Sequence, residues 1–443
     1  MTIKLKRILL VAGRYLKENP YRELVIKHLL ETKGVEVILA IPSRGLNKGA
    51  AEHNLSLDPV FVREGAIQID GEWEFRVSMR GCQMVLFSAW RSYLPLAQLA
   101  RREGRLTMNF NATSGLDHWS HGVDRCLVRS SVTKRMLRIA NTDDSGLITP
   151  NDENILPVGS IQYENVAENI DSSLLDRATF CAYYGFDPNV KLAILMPKGI
   201  GSFHYKVGKW FPQWSSEEVN AYNQQLLDIY AEICRGVKKS GCNLLVKMHP
   251  SAYISYNCNS GEEYTYWEQF DWVKVLHPDH TQAMFKHVDV GLGVNTYSAI
   301  DMAYFKKPFI YVDSQLLLVP PLDAFKMAHK SILLPKGPSS HWSTGPLESV
   351  NPWFPSWLGY YCRAKDLPDL LSKEETFIVD QDDLNRVIKE FWHKNDGNSA
   401  NRIVDEVIKY GDLKLNDWER MFNLCYWRGL FWDTVLRVRS LLS

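Results

Sequence analysis

The sequence predicts an α/β protein in two halves, each built on a mostly parallel sheet, and three observations predict it. Apolar runs of strand length alternate with stretches of helix length in the order strand–helix–strand from the N-terminus. A polar linker, Gln162–Asp171, interrupts the alternation, and the same pattern then restarts. The chain has 443 residues, more than a single hydrophobic core ordinarily organises.

In the first half, Arg7–Ala12 reads as a strand, Pro20–Thr32 as a helix and Val35–Ile41 as a strand. Val60–Val77 is expected to form a small antiparallel hairpin around Asp70-Gly71, a turn dipeptide between apolar runs. Cys82–Phe87 is a strand, Leu94–Glu103 a helix, and Leu106–Asn111 and Val123–Val128 are strands. Ser131–Ile139 is helical, and Ile155–Val158 is a short strand stopped by Gly159.

In the second half, Ser173–Tyr184 is helical and Lys191–Met196 is a strand. Glu217–Ser240 is a long amphipathic helix, followed by strands at Asn243–Met248 and Trp272–Leu276. A short helix at Thr281–Lys286 leads to strand Val288–Leu292, helix Ser298–Phe305 and strand Pro308–Val312. From Gln381 onward the pattern is mostly helical. The expected domains are 1–165, 166–420 and a C-terminal helix, 421–443, that packs back on the protein.

Composition narrows the function. Hydrophobic residues make up 45% and charged residues 23%, a globular balance. Basic and acidic residues number 51 each, which argues against a nucleic-acid binder. None of the eight cysteines forms a CxxC pair, so no structural zinc site is expected, and scattered thiols suit a reducing compartment. The N-terminal apolar run meets Arg14 and Lys17 at once and reads as a strand rather than a signal peptide. No apolar run approaches the roughly 20 residues that span a bilayer. The expected location is the cytoplasm, including the inner face of the membrane. Arg420–Leu442 mixes Trp427, Phe431, Trp432 and Leu436 with Arg428, Arg437 and Arg439. Packing on the protein's own core is the preferred reading of that segment, and peripheral contact with an anionic membrane is the other.

The chemistry-bearing motifs follow strands. Val288–Val294 runs into Asn295-Thr296-Tyr297-Ser298, small polar residues that open a helix. Free backbone N–H groups and hydroxyls there suit a phosphate, although Ser298 with Asp301 three residues on is also an ordinary cap. Leu244–Val246 runs into Lys247-Met248-His249-Pro250, in which Pro250 fixes the turn and His249 can donate to a phosphate. The first strand of the second half enters Pro197-Lys198-Gly199-Ile200-Gly201, whose glycines let backbone approach a ligand. It lacks the GxxxxGK[ST] order of a P-loop. In the first half, the polar segment Asn109–Gly122 holds Asp117, His118 and His121, candidates for a general base toward an acceptor hydroxyl. A surface loop is the plain alternative. The two histidines have no evident third ligand, so neither a metal nor a cofactor is expected.

Together these segments resemble the donor domain of GT-B glycosyltransferases. The order strand-Lys-x-His-Pro, a gap of roughly forty residues, then Val290–Val312 is similar to CDP-glycerol glycerophosphotransferases and related capsule and surface-polysaccharide enzymes. Sialyltransferases and Kdo transferases, which use CMP-sugars, carry a similar pair of motifs. By that resemblance, His249 and Pro250 match the first motif and Thr296, Tyr297 and Ser298 the second, both contacting the donor nucleotide and its phosphates. Leu156–Ser160, Tyr184–Asp187 and Gly359–Leu367 resemble further segments of the family. His121-Gly122 is similar to the His-Gly of glycerophosphotransferases, whose histidine is thought to act as base, but its neighbours differ. The acidic-acidic-Gly base motif of sialyltransferases does not show in this chain. The resemblance covers about residues 150 to 300.

It implies two Rossmann-like domains facing across a cleft. The second domain binds a CMP- or CDP-linked donor, and the first binds a glycan or lipid-linked acceptor, with no nucleic-acid partner. The expected reaction is transfer to an acceptor hydroxyl in bacterial surface polysaccharide synthesis. A non-hydrolysing UDP-sugar 2-epimerase and a non-catalytic scaffold of the same fold are the alternatives.

Overall fold

A computed structural model describes residues 3–12, 22–42, 59–88, 94–112, 122–134, 152–161, 176–197, 215–248, 262–277, 280, 283–293, 298–312, 360–373, 379, 381–394, 396–417 and 424–442. The chain divides into two compact units, Met1–Asn165 with Lys389–Ser443, and Val166–Ile388.

The first unit holds seven strands: β1 (Arg7–Val11), β2 (Glu36–Pro42), β3 (Ile67–Ile69), β4 (Met84–Ser88), β5 (Leu106–Ala112), β6 (Arg125–Val128) and β7 (Ile155–Pro157). All pair in parallel, in the order β3-β2-β1-β4-β5-β6-β7. Side chains alternate across the pleat. Ile8, Leu10, Leu86, Met108 and Phe110 therefore join one core, while Leu9, Val11, Val85 and Phe87 join the other. Both faces are covered, so β4 is buried along its whole length and reads as a continuous apolar run.

The expected hairpin over Val60–Val77 is not formed. Pro59–Arg63 is a helical turn, Ile67–Ile69 pairs parallel to β2 with Ala40 opposite Ile67, and Glu72–Ser78 is a helix. Pro59 suits the first helical position because its missing N–H has no partner there anyway. Glu72 and Glu74 complement the positive end of the helix that Asp70-Gly71 opens.

Helix Ser399–Leu415 explains why the C-terminal part belongs to the first unit. Its Ile403, Val404, Val407 and Tyr410 are buried in the same core as Ile8 and Leu10. Arg125 Nη1 meets Glu406 Oε2 at 3.0 Å, and Leu5 N donates to Asp412 Oδ1 at 2.7 Å. Residues 389–420, expected in the second domain, are thus part of the first unit. The boundary in the sequence pattern is blind to a segment that returns through space.

The second unit holds β8 (Leu192–Met196), β9 (Asn243–Val246), β10 (Val273–Val275), β11 (Val290–Gly293), β12 (Phe309–Val312) and β13 (Tyr360–Cys362). Their order is β10-β9-β8-β11-β12-β13, again all parallel. Numbered within the unit this is 3-2-1-4-5-6, the doubly wound Rossmann order. Helix Ser216–Lys239 packs Tyr230, Ile233 and Val237 onto Leu244, Val246 and Leu195. At the amino end of the sheet, Arg177 Nη2 pairs with Asp289 Oδ2 at 2.7 Å, and the same oxygen accepts from Leu192 N at 2.8 Å. Helix Glu262–Glu268 and strand β13 were not among the expected elements.

Candidate functional site

In the second unit the chain order reverses between β8 and β11, with β9 on the other side of β8. Open parallel sheets bind ligands outside the carboxyl ends of their strands at such a point. The three strand ends are level. Gly293 lies opposite Met196, Leu195 lies opposite Val246, and Lys247 N donates to Leu195 O at 2.9 Å. Of the phosphate-site candidates, Lys247 is half-buried directly after β9, and Met248 behind it is fully buried. Ser298 is half-buried as the first residue of helix Ser298–Tyr304. That helix is anchored by buried Ala299, Ile300, Met302 and Ala303. Lys198, Gly199, His249, Pro250, Asn295, Thr296 and Tyr297 lie outside the described residues. In the sequence, though, they follow within a few residues of β8, β9 and β11.

The first unit has its own reversal, between β1 and β4. Asp117, His118 and His121 follow β5 in the sequence and lie outside the described residues. What the structure adds is a buried acid that the sequence did not single out. Glu23, second residue of helix Arg22–Thr32, is 1% exposed, and Ser88, which ends β4, is fully buried. Ser88 Oγ donates to Glu23 Oε1 at 2.5 Å, and Arg22 Nε lies 3.0 Å from the same oxygen. Glu23 Oε2 has no hydrogen-bond partner among the described residues. The first turn of a helix suits an acidic side chain, because the helix dipole is positive there. One signal for it existed in the sequence. It is an acid in the first turn of the helix that follows the first strand, the place where a doubly wound sheet meets its ligand.

Gly159, in the segment that resembles a family motif, has a structural reason. Its φ is +98°, and an added Cβ would stand 2.0 Å from Ser399 Oγ. Arg402 Nε donates to Val158 O at 2.7 Å beside it. The end of β7 is therefore the seat of helix Ser399–Leu415.

No family model matches the chain, and no curated protein matches it in sequence. Solved structures do match. The wall teichoic acid polymerase TagF is similar over 94% of this chain and 91% of its own, at 11% identity and a TM-score of 0.51. The S. aureus MnaA–UDP co-structure is similar over 92% of this chain and 97% of its own, at 12% identity and a TM-score of 0.50. The UDP-GlcNAc 2-epimerase of Neisseria meningitidis, bound to UDP-GlcNAc, is similar over 91% of this chain and all of its own, at 11% identity and a TM-score of 0.50. At such identities the likeness is one of fold. The fold is of the GT-B kind, with two Rossmann-like domains.

Proposed function

We propose that the protein is a transferase that moves a group from a CMP- or CDP-linked donor to a hydroxyl of a glycan or lipid-linked acceptor in surface polysaccharide synthesis. The observation that carries this reading is the strand order of the second unit. The Lys198-Gly199, Lys247-x-His249-Pro250 and Asn295–Ser298 segments each follow one of three adjacent parallel strands at the switch point. Cationic and hydroxyl-rich segments at one sheet edge suit a nucleotide's phosphates. In this reading His249 and Ser298 neutralise the leaving phosphate, and the acceptor proton goes to Asp117, His118 or His121. Glu23 accepts a hydrogen bond from a second hydroxyl of the acceptor through Oε2.

The epimerase reading is favoured by one observation, the equal likeness to structures holding UDP and UDP-GlcNAc. A nucleotide panel separates the two. Thermal stabilisation and calorimetric binding by CMP or CDP supports the transferase. Stabilisation by UDP or UDP-GlcNAc alone supports the epimerase. No response to any nucleotide would overturn both and leave a non-catalytic scaffold.

A further inference from the structure

Helix Leu424–Leu442 packs on the first unit through close backbone contacts. An added Cβ at Gly429 would lie 1.9 Å from Glu103 O, and one at Gly104 would lie 2.4 Å from Cys425 O, so each position needs glycine. Apolar anchoring is thin. Among the described residues of this helix, Leu436 is the buried apolar side chain, whereas helix Ser399–Leu415 sends Ile403, Val404, Val407 and Tyr410 into the core. An element with few buried apolar contacts can open by itself while the rest of its unit stays folded.

The remaining contacts are polar. Arg105 Nη2 lies 2.6 Å from Asp433 Oδ1, and Arg80 Nη1 donates to Leu436 O at 3.4 Å. Glu103 carries one of the backbone contacts, adjoins the other and is 3% exposed. Its Oε1 lies 3.7 Å from Arg76 Nη2, on the neighbouring helix Glu72–Ser78, and 3.8 Å from Arg428 Nε. Neither of its carboxylate oxygens has a hydrogen-bond partner among the described residues. Arg105, just before β5, and Asp433 are the other charges that face it.

A carboxylate that a helix covers without a hydrogen bond is costly to keep ionised, and ion pairs beyond hydrogen-bond reach offset only part of that cost. Lifting the helix lets water reach the same group. Burial accordingly pushes the Glu103 carboxyl up while the helix is seated, against the pull of Arg76, Arg428 and Arg105 and with Asp433 adding to the push. Seating is therefore strongest below the ordinary carboxylate range and weakens as pH rises through the raised value. We propose that helix Leu424–Leu442 is a pH-sensitive latch with Glu103 as its sensor, firmly seated in acid and opening locally toward neutral pH.

Hydrogen exchange of the full chain tests it, read by mass spectrometry as protection of the Gly429–Leu436 amides and corrected for the intrinsic effect of pH on exchange. Between about pH 5 and pH 8 this protection should fall as pH rises, by up to about tenfold per pH unit while only the seated helix holds the proton. Protection in helix Ser399–Leu415 should stay level. Glu103→Gln keeps the shape and cannot ionise, so its protection should stay high across the range. Arg428→Gln, at a side chain that is 55% exposed, removes a charge that favours ionised Glu103 in the seated state, and it should deepen the fall. Four results would each overturn the proposal. One is protection of Gly429–Leu436 that stays level with pH in the parent. Another is the parent's fall persisting in Glu103→Gln, and a third is a fall no deeper in Arg428→Gln. The fourth is an equal fall in helix Ser399–Leu415, since the whole unit would then be opening.

Discussion

Ser88 Oγ donates to Glu23 Oε1 across 2.5 Å and joins the end of β4 to the first turn of helix Arg22–Thr32, where the first sheet reverses its order. Replacing Ser88 with Ala removes a charge-assisted bond in a buried place. The expected loss of stability is about 1–3 kcal/mol, read from urea midpoints. Glu23→Gln keeps the shape and removes the charge. It should lower kcat/KM for the acceptor by about 10- to 150-fold, the equivalent of a hydrogen bond to a charged group, with nucleotide affinity unchanged. Unchanged acceptor kinetics would confine Glu23 to a structural role.

His249→Ala and Ser298→Ala should each weaken CMP or CDP binding by about 1.5–3 kcal/mol, since each removes a donor to a charged phosphate. Calorimetry on the single variants measures it. Wild-type affinity in both would refute the phosphate-site assignment.

Asp117→Asn or His121→Ala should cut turnover by about 10²–10⁴-fold at saturating donor, the usual contribution of a general base. Donor affinity should hardly change. If the carboxylate orients the imidazole, the losses will not add in the double variant. Near-normal turnover in both singles would move the base elsewhere.

Glu103 gives a pH dependence of stability. Burial pushes its carboxyl pKa up, against the pull of Arg76 Nη2 at 3.7 Å and Arg428 Nε at 3.8 Å. The folded value lies above the unfolded one, so the folded state favours the protonated form. This group's stabilising contribution is complete below the ordinary carboxylate range and is lost as pH rises through the folded value. Glu103→Gln should therefore be more stable than the parent at about pH 7, with the advantage gone at about pH 4. Paired denaturation curves at the two values show whether the difference closes at the lower pH.

Gly159→Ala meets two obstacles at once, a φ of +98° and the Ser399 hydroxyl 2.0 Å from the new Cβ. The expected cost is about 1–3 kcal/mol in thermal or urea unfolding. A neutral result would mean that helix Ser399–Leu415 shifts easily from its seat.

The strands were legible because a parallel strand covered on both faces is a short unbroken apolar run. Leu192–Met196 and Met84–Ser88 announce themselves that way. The Lys198-Gly199, Lys247–Pro250 and Asn295–Ser298 segments can be placed just past strands β8, β9 and β11 because they follow those runs directly in the sequence. Local pattern could not decide Val60–Val77, where a turn dipeptide between apolar residues fits a hairpin as well as a helix start. Nor could it find β13, three residues long and set by its pairing with β12.

What the sequence by itself determined, then, is where chain is extended, where it is helical and which polar residues stand just past each strand. Burial period and backbone chemistry are local properties, written in neighbouring residues. Strand order, the return of Lys389–Ser443 to the first unit and the meeting of Glu23 with Ser88 were decided by tertiary structure. Ser88 lies 65 residues from Glu23, and Asp412 lies 407 residues from Leu5. Such a choice of partner rests on which apolar faces can cover one another, and that is a property of the folded whole.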